Sequence, residues 1–371
     1  MYKYERKAMT KKIIIAGGGT GGHIFPAIAI ANALKKLEPA TEILFVGAKG
    51  KMEMEKIPQA GYRIIGLDIA GFNRSSLIKN IGLPFKLAGS FIRVRKIFKS
   101  FMPSAVVGVG GYSSFPVLRY AQSRRIPYFI HESNSYAGKS NKLLGKNAAR
   151  IFVADEGMEK FFPAGKIMVT GNPVRENITG SKITRGEGIR FFHLDPSKRT
   201  ILSIGGSLGA KNINEALYKD LDLFEKNQLQ LIWQTGKHFA GKANERVAGK
   251  IHIRVFDFIA QMEYAYAAAD LVISRSGAIA ISELCVMKKP VVFVPFPFAA
   301  EDHQTVNAQN LVNKNAGIMI KDNETLDRLV PAVIELSKDE QKQILLSENI
   351  GQLSKTKADI DIAREILNQL K

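Results

Sequence analysis

At 371 residues the chain is long enough for two ordinary domains, and its apolar fraction of 46% is normal for globular cores. Its net charge of +19 is unusual and uneven, because residues 1–170 contain 27 Lys and Arg against 10 Asp and Glu. Such a basic half implies an anionic partner: a membrane surface, a nucleic acid or a polyanionic substrate. The single cysteine, Cys285, excludes an intramolecular disulfide and indicates a reducing compartment.

Short apolar runs alternate with longer helical stretches along the whole chain. Several runs are apolar throughout, as is typical of parallel strands covered on both faces. The first series of predicted strands comprises residues 12–16, 43–46, 105–109, 128–131, 151–153 and 167–170. The second series comprises residues 200–204, 230–234, 251–255, 271–274 and 290–294. This alternation predicts a doubly wound α/β architecture.

The two series imply two domains with a boundary at the turn signal Gly171-Asn172-Pro173. Each half opens with a strand, a glycine-rich turn and a helix, so we expect two Rossmann-like parallel-sheet domains facing an interdomain cleft. The predicted boundaries are 12–170 for the N-terminal domain and 171–350 for the C-terminal domain. The last segment, 351–371, is a candidate to complete the first domain.

The first glycine-rich turn contains five glycines within residues 17–22 and is followed by His23. It formally matches the dinucleotide fingerprint, so an NAD-dependent enzyme is one interpretation. However, no acidic residue ends the second strand, where that fingerprint requires one. A helix N-terminus disfavours an imidazolium, so His23 is a candidate base. The alternative is a histidine that only packs the turn.

Three motifs in the second half carry polar groups suited to a nucleotide sugar. In the turn at residues 205–210, backbone amides and the Ser207 hydroxyl form a second anion cradle. Glu283 lies in an otherwise apolar helix, where ribose hydroxyls are plausible partners; a surface position is the alternative. His303 and Gln304 follow an apolar strand and offer donors and acceptors to sugar hydroxyls.

The acidic pairs in this sequence do not predict a metal site. Asp220 and Asp222, like Asp359 and Asp361, have a spacing that some glycosyltransferases use to hold a metal, but both pairs lie in helix-like surface stretches. We interpret them as solvated charges and expect neither a metal nor a cofactor. A leaving diphosphate would then be stabilised by helix N-termini and Arg175.

Residues 70–103 contain seven basic residues and no acidic one, interleaved with large apolar side chains. This pattern is typical of a segment that lies on an anionic membrane leaflet. Nucleic acid is a weaker interpretation because no recognised binding motif is present, and an amphipathic helix packed inward is the plain alternative. The predicted membrane residues are Lys79, Phe85, Lys86, Phe91, Arg93 and Arg95.

Taken together, the motifs closely resemble the MurG family of bacterial transferases, a part of glycosyltransferase family 28 with the GT-B fold. The matching segments appear in the family's order: GGTGGHIFPA at 18–27, GGYSSFP at 110–116, HESN at 131–134, GNPVR at 171–175, GGSLGA at 205–210, and residues 275–284 and 302–308. The resemblance implies transfer of N-acetylglucosamine from UDP-GlcNAc to undecaprenyl-diphosphate-linked muramyl pentapeptide, in peptidoglycan synthesis. It also implies a peripheral protein on the cytoplasmic face of the bacterial plasma membrane, without a bound metal or a nucleic-acid partner.

The resemblance also implies roles for individual residues. His23 would be the base for the acceptor C4 hydroxyl, with Glu132 as the competing candidate. The acceptor diphosphate would meet Gly17, Gly18, Gly19, Gly110, Gly111 and Tyr112. The donor would meet Thr20, Gly21, Gly22 and Asn134 from the first domain. In the second domain, which would hold the donor, it would meet Arg175, Ser207, Phe258, Ile259, Ala278, Ile279, Ala280, Ile281, Ser282, Glu283, His303 and Gln304.

Two enzyme classes and one binding class compete with this interpretation. Another GT-B transferase, such as one that glycosylates diacylglycerol, would differ in its acceptor. An NAD-dependent oxidoreductase would bind nicotinamide at the first loop and have no affinity for UDP. A non-catalytic lipid- or nucleic-acid-binding protein would keep its binding activity after the substitution His23→Ala.

Overall fold

The computed structural model describes residues 10–70, 82–206 and 208–370. The chain forms two compact units: unit 1 comprises Met1–Pro173 with Lys357–Lys371, and unit 2 comprises Val174–Thr356. Each unit contains one parallel sheet with helices on both faces. The predicted class, α/β with two Rossmann-like parallel sheets, is confirmed.

The sheet of unit 1 has seven parallel strands in the order β3-β2-β1-β4-β5-β6-β7. These strands are β1 (Lys12–Ala16), β2 (Glu42–Ala48), β3 (Arg63–Leu67), β4 (Ala105–Gly108), β5 (Tyr128–Glu132), β6 (Arg150–Val153) and β7 (Ile167–Val169). The first five helices are α1 (Gly21–Leu37), α2 (Glu53–Gln59), α3 (Leu83–Phe101), α4 (Ser114–Ser123) and α5 (Lys139–Gly145).

Side chains alternate along β1 and so divide the core of unit 1 into two layers. Ile13 and Ile15 face the layer that contains α1 and α2, whereas Ile14 and Ala16 face the layer that contains α3, α4 and α5. The last helix of the chain, α16 (Ala358–Asn368), packs on α1 in the first of these layers.

The sheet of unit 2 has six parallel strands in the order β10-β9-β8-β11-β12-β13. These strands are β8 (Arg199–Ile204), β9 (Leu229–Gln234), β10 (Ile253–Phe256), β11 (Leu271–Ser274), β12 (Val291–Phe293) and β13 (Ile318–Met319). The helices are α6 (Glu176–Thr179), α7 (Arg185–Phe191), α8 (Lys211–Lys219), α9 (Leu221–Lys226), α10 (Lys237–Arg246), α11 (Met262–Ala268), α12 (Ala278–Met287), α13 (His303–Val312), α14 (Thr325–Lys338) and α15 (Glu340–Gln352).

All eleven predicted strands are present, although β10 begins two residues later than predicted. The sequence analysis missed β3 and β13, which lie at one edge of each sheet. The strand order reverses beside β1 in unit 1 and beside β8 in unit 2. Ligands of open α/β sheets bind beyond the strand ends at such a reversal, and both glycine-rich turns follow these two strands.

Candidate functional site

The first glycine-rich turn uses its own backbone amides to hold its shape. Gly17 donates its N–H to the carbonyl of Val46 (3.1 Å), and Gly18 donates to the carbonyl of Gly110 (3.2 Å). Gly19 donates to the carboxylate of Glu53 (2.9 Å). The predicted diphosphate contacts of Gly17, Gly18 and Gly19 therefore cannot use these amides while the turn keeps this shape. The first-turn amides of α1, at Gly21 and Gly22, are better placed for an anion.

His23 is half-buried at the start of α1, and its ring is oriented by the glycine turn. Its Nδ1 lies 3.0 Å from the carbonyl oxygen of Gly18. Because a carbonyl only accepts hydrogen bonds, Nδ1 must carry the proton, so Nε2 is the basic nitrogen of the neutral ring. Nε2 faces Gly110, where a Cβ would lie only 2.7 Å away. Glycine at position 110 therefore leaves room for the ring.

The segment after β4 lies against both the glycine turn and His23. Gly110 and Gly111 have φ of +95° and +85°, and a Cβ on Gly111 would lie 2.3 Å from the Gly18 carbonyl oxygen. Both positions therefore require glycine. Tyr112 is exposed beside them. The structure thus brings the predicted acceptor residues of both segments together within unit 1.

His131, at the end of β5, is fully buried and was not predicted as a functional residue. Burial and, to a smaller extent, the neighbouring His23 together lower its pKa to about 4, while the side chain of Asn172 opposes this shift. The ring is therefore neutral at physiological pH, so it adds no positive charge beside His23.

Glu132, the competing base candidate, is buried and surrounded by hydrogen-bond donors. It accepts from the backbone N–H of Asn134 (3.2 Å) and Gly138 (2.9 Å), and from the side-chain amides of Asn134 (3.3 Å) and Asn141 (2.9 Å). A carboxylate with both oxygens occupied in this way orients a loop, and this loop carries Asn134. The arrangement favours His23 over Glu132 as the base.

In unit 2 the second glycine-rich turn is held by Gln234, which the sequence analysis missed. Gln234 ends β9, donates its side-chain amide to the carbonyl of Gly206 (3.1 Å) and accepts the N–H of Ile259 (3.0 Å). One side chain thus connects the predicted anion cradle with residues 258–259, which are predicted to meet the donor; Phe258 is exposed and Ile259 is buried. Ser207, the predicted hydroxyl of this turn, lies outside the described residues.

Glu283 is buried on α12 and forms an ion pair with Arg175. Its Oε1 lies 2.9 Å from an Arg175 guanidinium nitrogen, and its Oε2 accepts the hydroxyl of Tyr266 (2.9 Å). Burial raises the pKa of Glu283, while Arg175 and then Tyr266 lower it. The surface alternative for Glu283 is wrong. Arg175 was expected to contact the leaving diphosphate, but in this structure its guanidinium group pairs with the carboxylate of Glu283.

The helix α12 begins at Ala278 with Gly277 as its N-cap, so Ser276 does not cap it. Ser276 instead donates its hydroxyl to the carbonyl of Gln304 (2.8 Å). Of the predicted donor residues on this helix, Ile279 and Ile281 are buried, while Ala278, Ala280 and Ser282 are partly exposed. The Ser276–Gln304 bond joins the start of α12 to the start of α13.

His303 and Gln304 form the first turn of α13, directly after two residues with left-handed backbone. Glu301 and Asp302 have φ of +55° and +51°. The side-chain oxygen of Gln304 accepts the N–H of Phe296 (3.0 Å), which ties the preceding loop to the helix. Unit 2 therefore brings Gln304 and Ser276 together beside the start of α12.

The helix α3 carries an exposed apolar and basic surface. It buries Ser90, Val94, Ile97 and Phe98, while Phe85 is 80% and Ile92 63% exposed. Arg93 and Arg95 are exposed and Phe91 is half-buried. Lys86 pairs with Asp68 (3.3 Å), so its charge is partly compensated. Lys79 lies outside the described residues.

Neither a metal cluster nor a membrane-spanning helix occurs in the part of the chain that the structure describes. No group of three or more His, Cys, Asp or Glu in these ranges could hold a metal ion. Asp222 is exposed and pairs with Arg246 and Lys250 (2.7 and 3.0 Å). Among the same residues no helix is long and apolar enough to cross a bilayer.

Comparisons with known proteins agree with this architecture. The family model of the glycosyltransferase family 28 N-terminal domain matches residues 13–153, and that of the C-terminal domain matches residues 200–365. A relative from Phocaeicola vulgatus, named UDP-N-acetylglucosamine--N-acetylmuramyl-(pentapeptide) pyrophosphoryl-undecaprenol N-acetylglucosamine transferase, is 53% identical over 358 residues, which are 96% of this chain and 95% of the relative. A relative of the same name from Bacteroides fragilis is 52% identical over 360 residues, again 96% and 95% of the two chains.

Two solved structures show the same fold. Acinetobacter baumannii MurG has a TM-score of 0.77 at 28% identity and covers 96% of this chain and 99% of its own. A UDP-GlcNAc 2-epimerase from Neisseria meningitidis, bound to UDP-GlcNAc, has a TM-score of 0.67 at 14% identity over 97% and 100% of the two chains, and it shares the fold alone. The family models and the relatives cover both halves of the sequence, and the resemblance seen in its motifs is thereby confirmed: the chain belongs to glycosyltransferase family 28.

Proposed function

We propose that this chain transfers N-acetylglucosamine from UDP-GlcNAc to the C4 hydroxyl of undecaprenyl-diphosphate-linked MurNAc-pentapeptide. This reaction converts lipid I to lipid II in peptidoglycan synthesis. The names of relatives that are 52–53% identical over 96% of the chain support this activity. The observation that carries the catalytic part is the hydrogen bond from His23 Nδ1 to Gly18, because it leaves Nε2 as the basic nitrogen.

Unit 1 holds the acceptor in this proposal, and His23 is the base. The acceptor C4 oxygen attacks C1 of the sugar while Nε2 takes the hydroxyl proton. The bond from C1 to the diphosphate breaks, UDP leaves with its electron pair, and the α-linked donor gives a β-1,4 product. The first-turn amides of α1 and the segment at residues 110–112 face the acceptor diphosphate. Glu132 orients the loop that carries Asn134.

Unit 2 holds the donor. Glu283 accepts the ribose hydroxyls, the segment at residues 258–259 contacts the uracil, and His303 with Gln304 contacts the sugar hydroxyls. Donor binding requires Glu283 to share its carboxylate among the ribose, Arg175 and Tyr266, since Arg175 and Tyr266 each contact one of its oxygens. The N-terminal amides of α12 then stabilise the leaving diphosphate, with Arg175 close by.

The proposal also includes peripheral binding to the cytoplasmic face of the plasma membrane through α3. An acceptor with an undecaprenyl chain resides in the membrane, so unit 1 must reach the leaflet. Exposed Phe85 and Ile92 can insert between lipids, and Arg93 and Arg95 can contact anionic headgroups. No nucleic-acid partner is part of this proposal.

The test is a transfer assay with UDP-GlcNAc and a lipid-linked muramyl acceptor, with diacylglycerol as the competing acceptor. The expected result is a β-1,4-linked disaccharide on the muramyl lipid and no product on diacylglycerol. Product on diacylglycerol alone would favour the other GT-B transferase. His23→Gln should abolish turnover without changing the affinity for UDP, and a variant that keeps its turnover would contradict the role of His23.

A further inference from the structure

Glu53 is a buried carboxylate under the first glycine-rich turn, and the mechanism above does not use it. It is 1% exposed, its Oε1 accepts the N–H of Ala48 (2.9 Å), and its Oε2 accepts the N–H of Gly19 (2.9 Å). A Cβ on Gly18 would lie 2.3 Å from Glu53 Cδ, and one on Gly47 would lie 2.6 Å from Cγ. Burial of a carboxylate is costly, so two hydrogen bonds and two glycines at one side chain indicate a specific role.

A single peptide group connects Glu53 to His23. The N–H of Gly19 donates to Glu53, and the carbonyl of Gly18, in the same planar unit, accepts the proton of His23 Nδ1. Linked hydrogen bonds polarise one another, so a negative charge at the N–H end makes the carbonyl a stronger acceptor. Two hydrogen bonds thus connect the carboxylate of Glu53, the Gly18–Gly19 peptide group and the imidazole of His23.

We propose that Glu53 is a positioning residue for the transfer reaction, acting on His23 through the Gly18–Gly19 peptide group. Glu53 fixes the orientation of this peptide group and strengthens its carbonyl as an acceptor. The ring of His23 is then held in the tautomer with the proton on Nδ1, and Nε2 is presented as the proton acceptor. This proposal rests on the assignment of His23 as the base in the proposed function.

The other hydrogen bonds of the first glycine-rich turn hold its backbone in place, but their acceptors are uncharged carbonyl groups. Gly17 and Gly18 donate to the carbonyls of Val46 and Gly110, which are neutral acceptors. Among the residues that the structure describes, Glu53 is the one that brings a carboxylate to the peptide group that His23 contacts. Carboxylates that orient a histidine through its second nitrogen are a recurrent device in metal sites and catalytic triads, where the contact is direct. Here the peptide group stands between them.

The direct test is the tautomer of His23, measured by ¹⁵N NMR on the full chain labelled at its histidines. The His23→Gln variant assigns the resonances by their loss. In the unsubstituted protein we expect a protonated Nδ1 and an unprotonated Nε2. A proton on Nε2 would overturn the proposal, whatever happens to any variant.

The variant Glu53→Gln tests the connection itself. Its amide offers one acceptor and one donor, so it cannot accept the N–H of both Ala48 and Gly19. We expect a mixture of tautomers at His23, and kcat lower on the order of 10²-fold with the KM for UDP-GlcNAc unchanged. Retention of both the tautomer and kcat would overturn the proposal.

Glu55→Gln is the matched control, because Glu55 lies on the same helix but is exposed. It should change neither the tautomer nor kcat. The NMR measurement also separates this inference from the proposed function. If His23→Gln keeps its transfer activity, the role of His23 as base fails, whereas the tautomer in the unsubstituted protein and in Glu53→Gln still decides whether Glu53 orients the ring.

Discussion

At the scale of single residues, the most informative side chains are buried and polar; Glu132 and Gln234 end strands, and Glu283 lies on α12. Glu132, Gln234 and Glu283 each hold two segments in place with one carboxylate or amide. Such groups lose water on burial and are tolerated only when fully bonded. Their geometry therefore fixes the loops around them, and substitutions at these positions should change binding or pH dependence.

The buried His131 should make the protein less stable in mild acid. The unfolded chain takes up a proton at this residue below about pH 6.5, whereas the folded chain does so only near its pKa of about 4. Stability is therefore lost as the pH falls through this window, and between pH 7 and pH 5 the loss from His131 is about 2 kcal/mol.

The variant His131→Gln has no titratable group at this position. Its free energy of unfolding, measured with urea at pH 7 and at pH 5, should therefore fall by about 2 kcal/mol less than that of the unsubstituted protein. His238→Gln is the control, since His238 is an exposed histidine. If His131→Gln and the unsubstituted protein lose the same stability between pH 7 and pH 5, the neutral buried state of His131 is contradicted.

Glu283→Ala should weaken the donor complex. The substitution removes the carboxylate assigned to the ribose and releases Arg175, and a hydrogen bond to a charged group contributes about 1.5–3 kcal/mol. We expect the KM for UDP-GlcNAc to rise about 10-fold to 100-fold in steady-state assays, with kcat nearly unchanged. Tyr266→Phe, which removes only the hydroxyl donor, should have a smaller effect, and Glu245→Ala, at an exposed position of α10, should have none. A lower kcat at constant KM would contradict the donor role.

The sequence indicated His23 and Glu283 but not Glu53, and the reason is physical. Glu283 stands out because its neighbours on the helix are apolar, and His23 because it follows a glycine-rich turn. Glu53 lies among Lys, Met and Glu, a composition typical of a solvated helix face. Its partner, Gly19, is 34 residues away, so only the parallel pairing of β1 and β2 brings them together.

At the scale of secondary-structure elements, α3 should bind the protein to anionic vesicles. Phe85→Ala and Ile92→Ala each remove exposed apolar surface, so both should reduce binding in a sedimentation assay. Arg93→Gln and Arg95→Gln should each reduce it by about 1 kcal/mol, and this loss should shrink at high salt.

Matched controls for α3 lie in unit 2. Ile251 is 83% exposed and Arg190 is exposed, so Ile251→Ala and Arg190→Gln remove comparable groups from another part of the chain. Neither should change vesicle binding. Equal losses in the controls would show that binding follows total charge and hydrophobicity rather than α3.

Strand prediction failed only at β3 and β13, each at a sheet edge. A central parallel strand is buried on both faces and therefore forms a continuous apolar run. β3 begins with an exposed Arg63 and contains Gly66, while β13 has two half-buried residues. Neither has the apolar pattern that indicated the other strands, because Gly66 interrupts β3 and β13 has only two residues. Edge position alone is not the reason, since the opposite edge strands, β7 and β10, were predicted.

At the scale of the whole molecule, the chain leaves unit 2 and ends in unit 1. Buried Ile362 and Ile366 of α16 join the core layer of α1, and Arg150 pairs with Glu365 (2.9 Å). The preceding helix, α15, contributes Ile350 to a core layer of unit 2. Two helices that are adjacent in sequence therefore stabilise different cores, and substitutions in them should separate the stabilities of the two units.

Ile362→Ala should destabilise unit 1, and Ile350→Ala should destabilise unit 2, each by about 2–5 kcal/mol, because both residues are fully buried. The only tryptophan, Trp233, is buried in unit 2, so its fluorescence monitors that unit alone, while circular dichroism monitors both. In urea titrations Ile350→Ala should lower the midpoint of the fluorescence transition. Ile362→Ala should leave it unchanged but lower the midpoint of a separate transition in circular dichroism. UDP should raise only the fluorescence midpoint, because a ligand stabilises the unit that binds it. If both substitutions shift both signals equally, the two units unfold as one cooperative body.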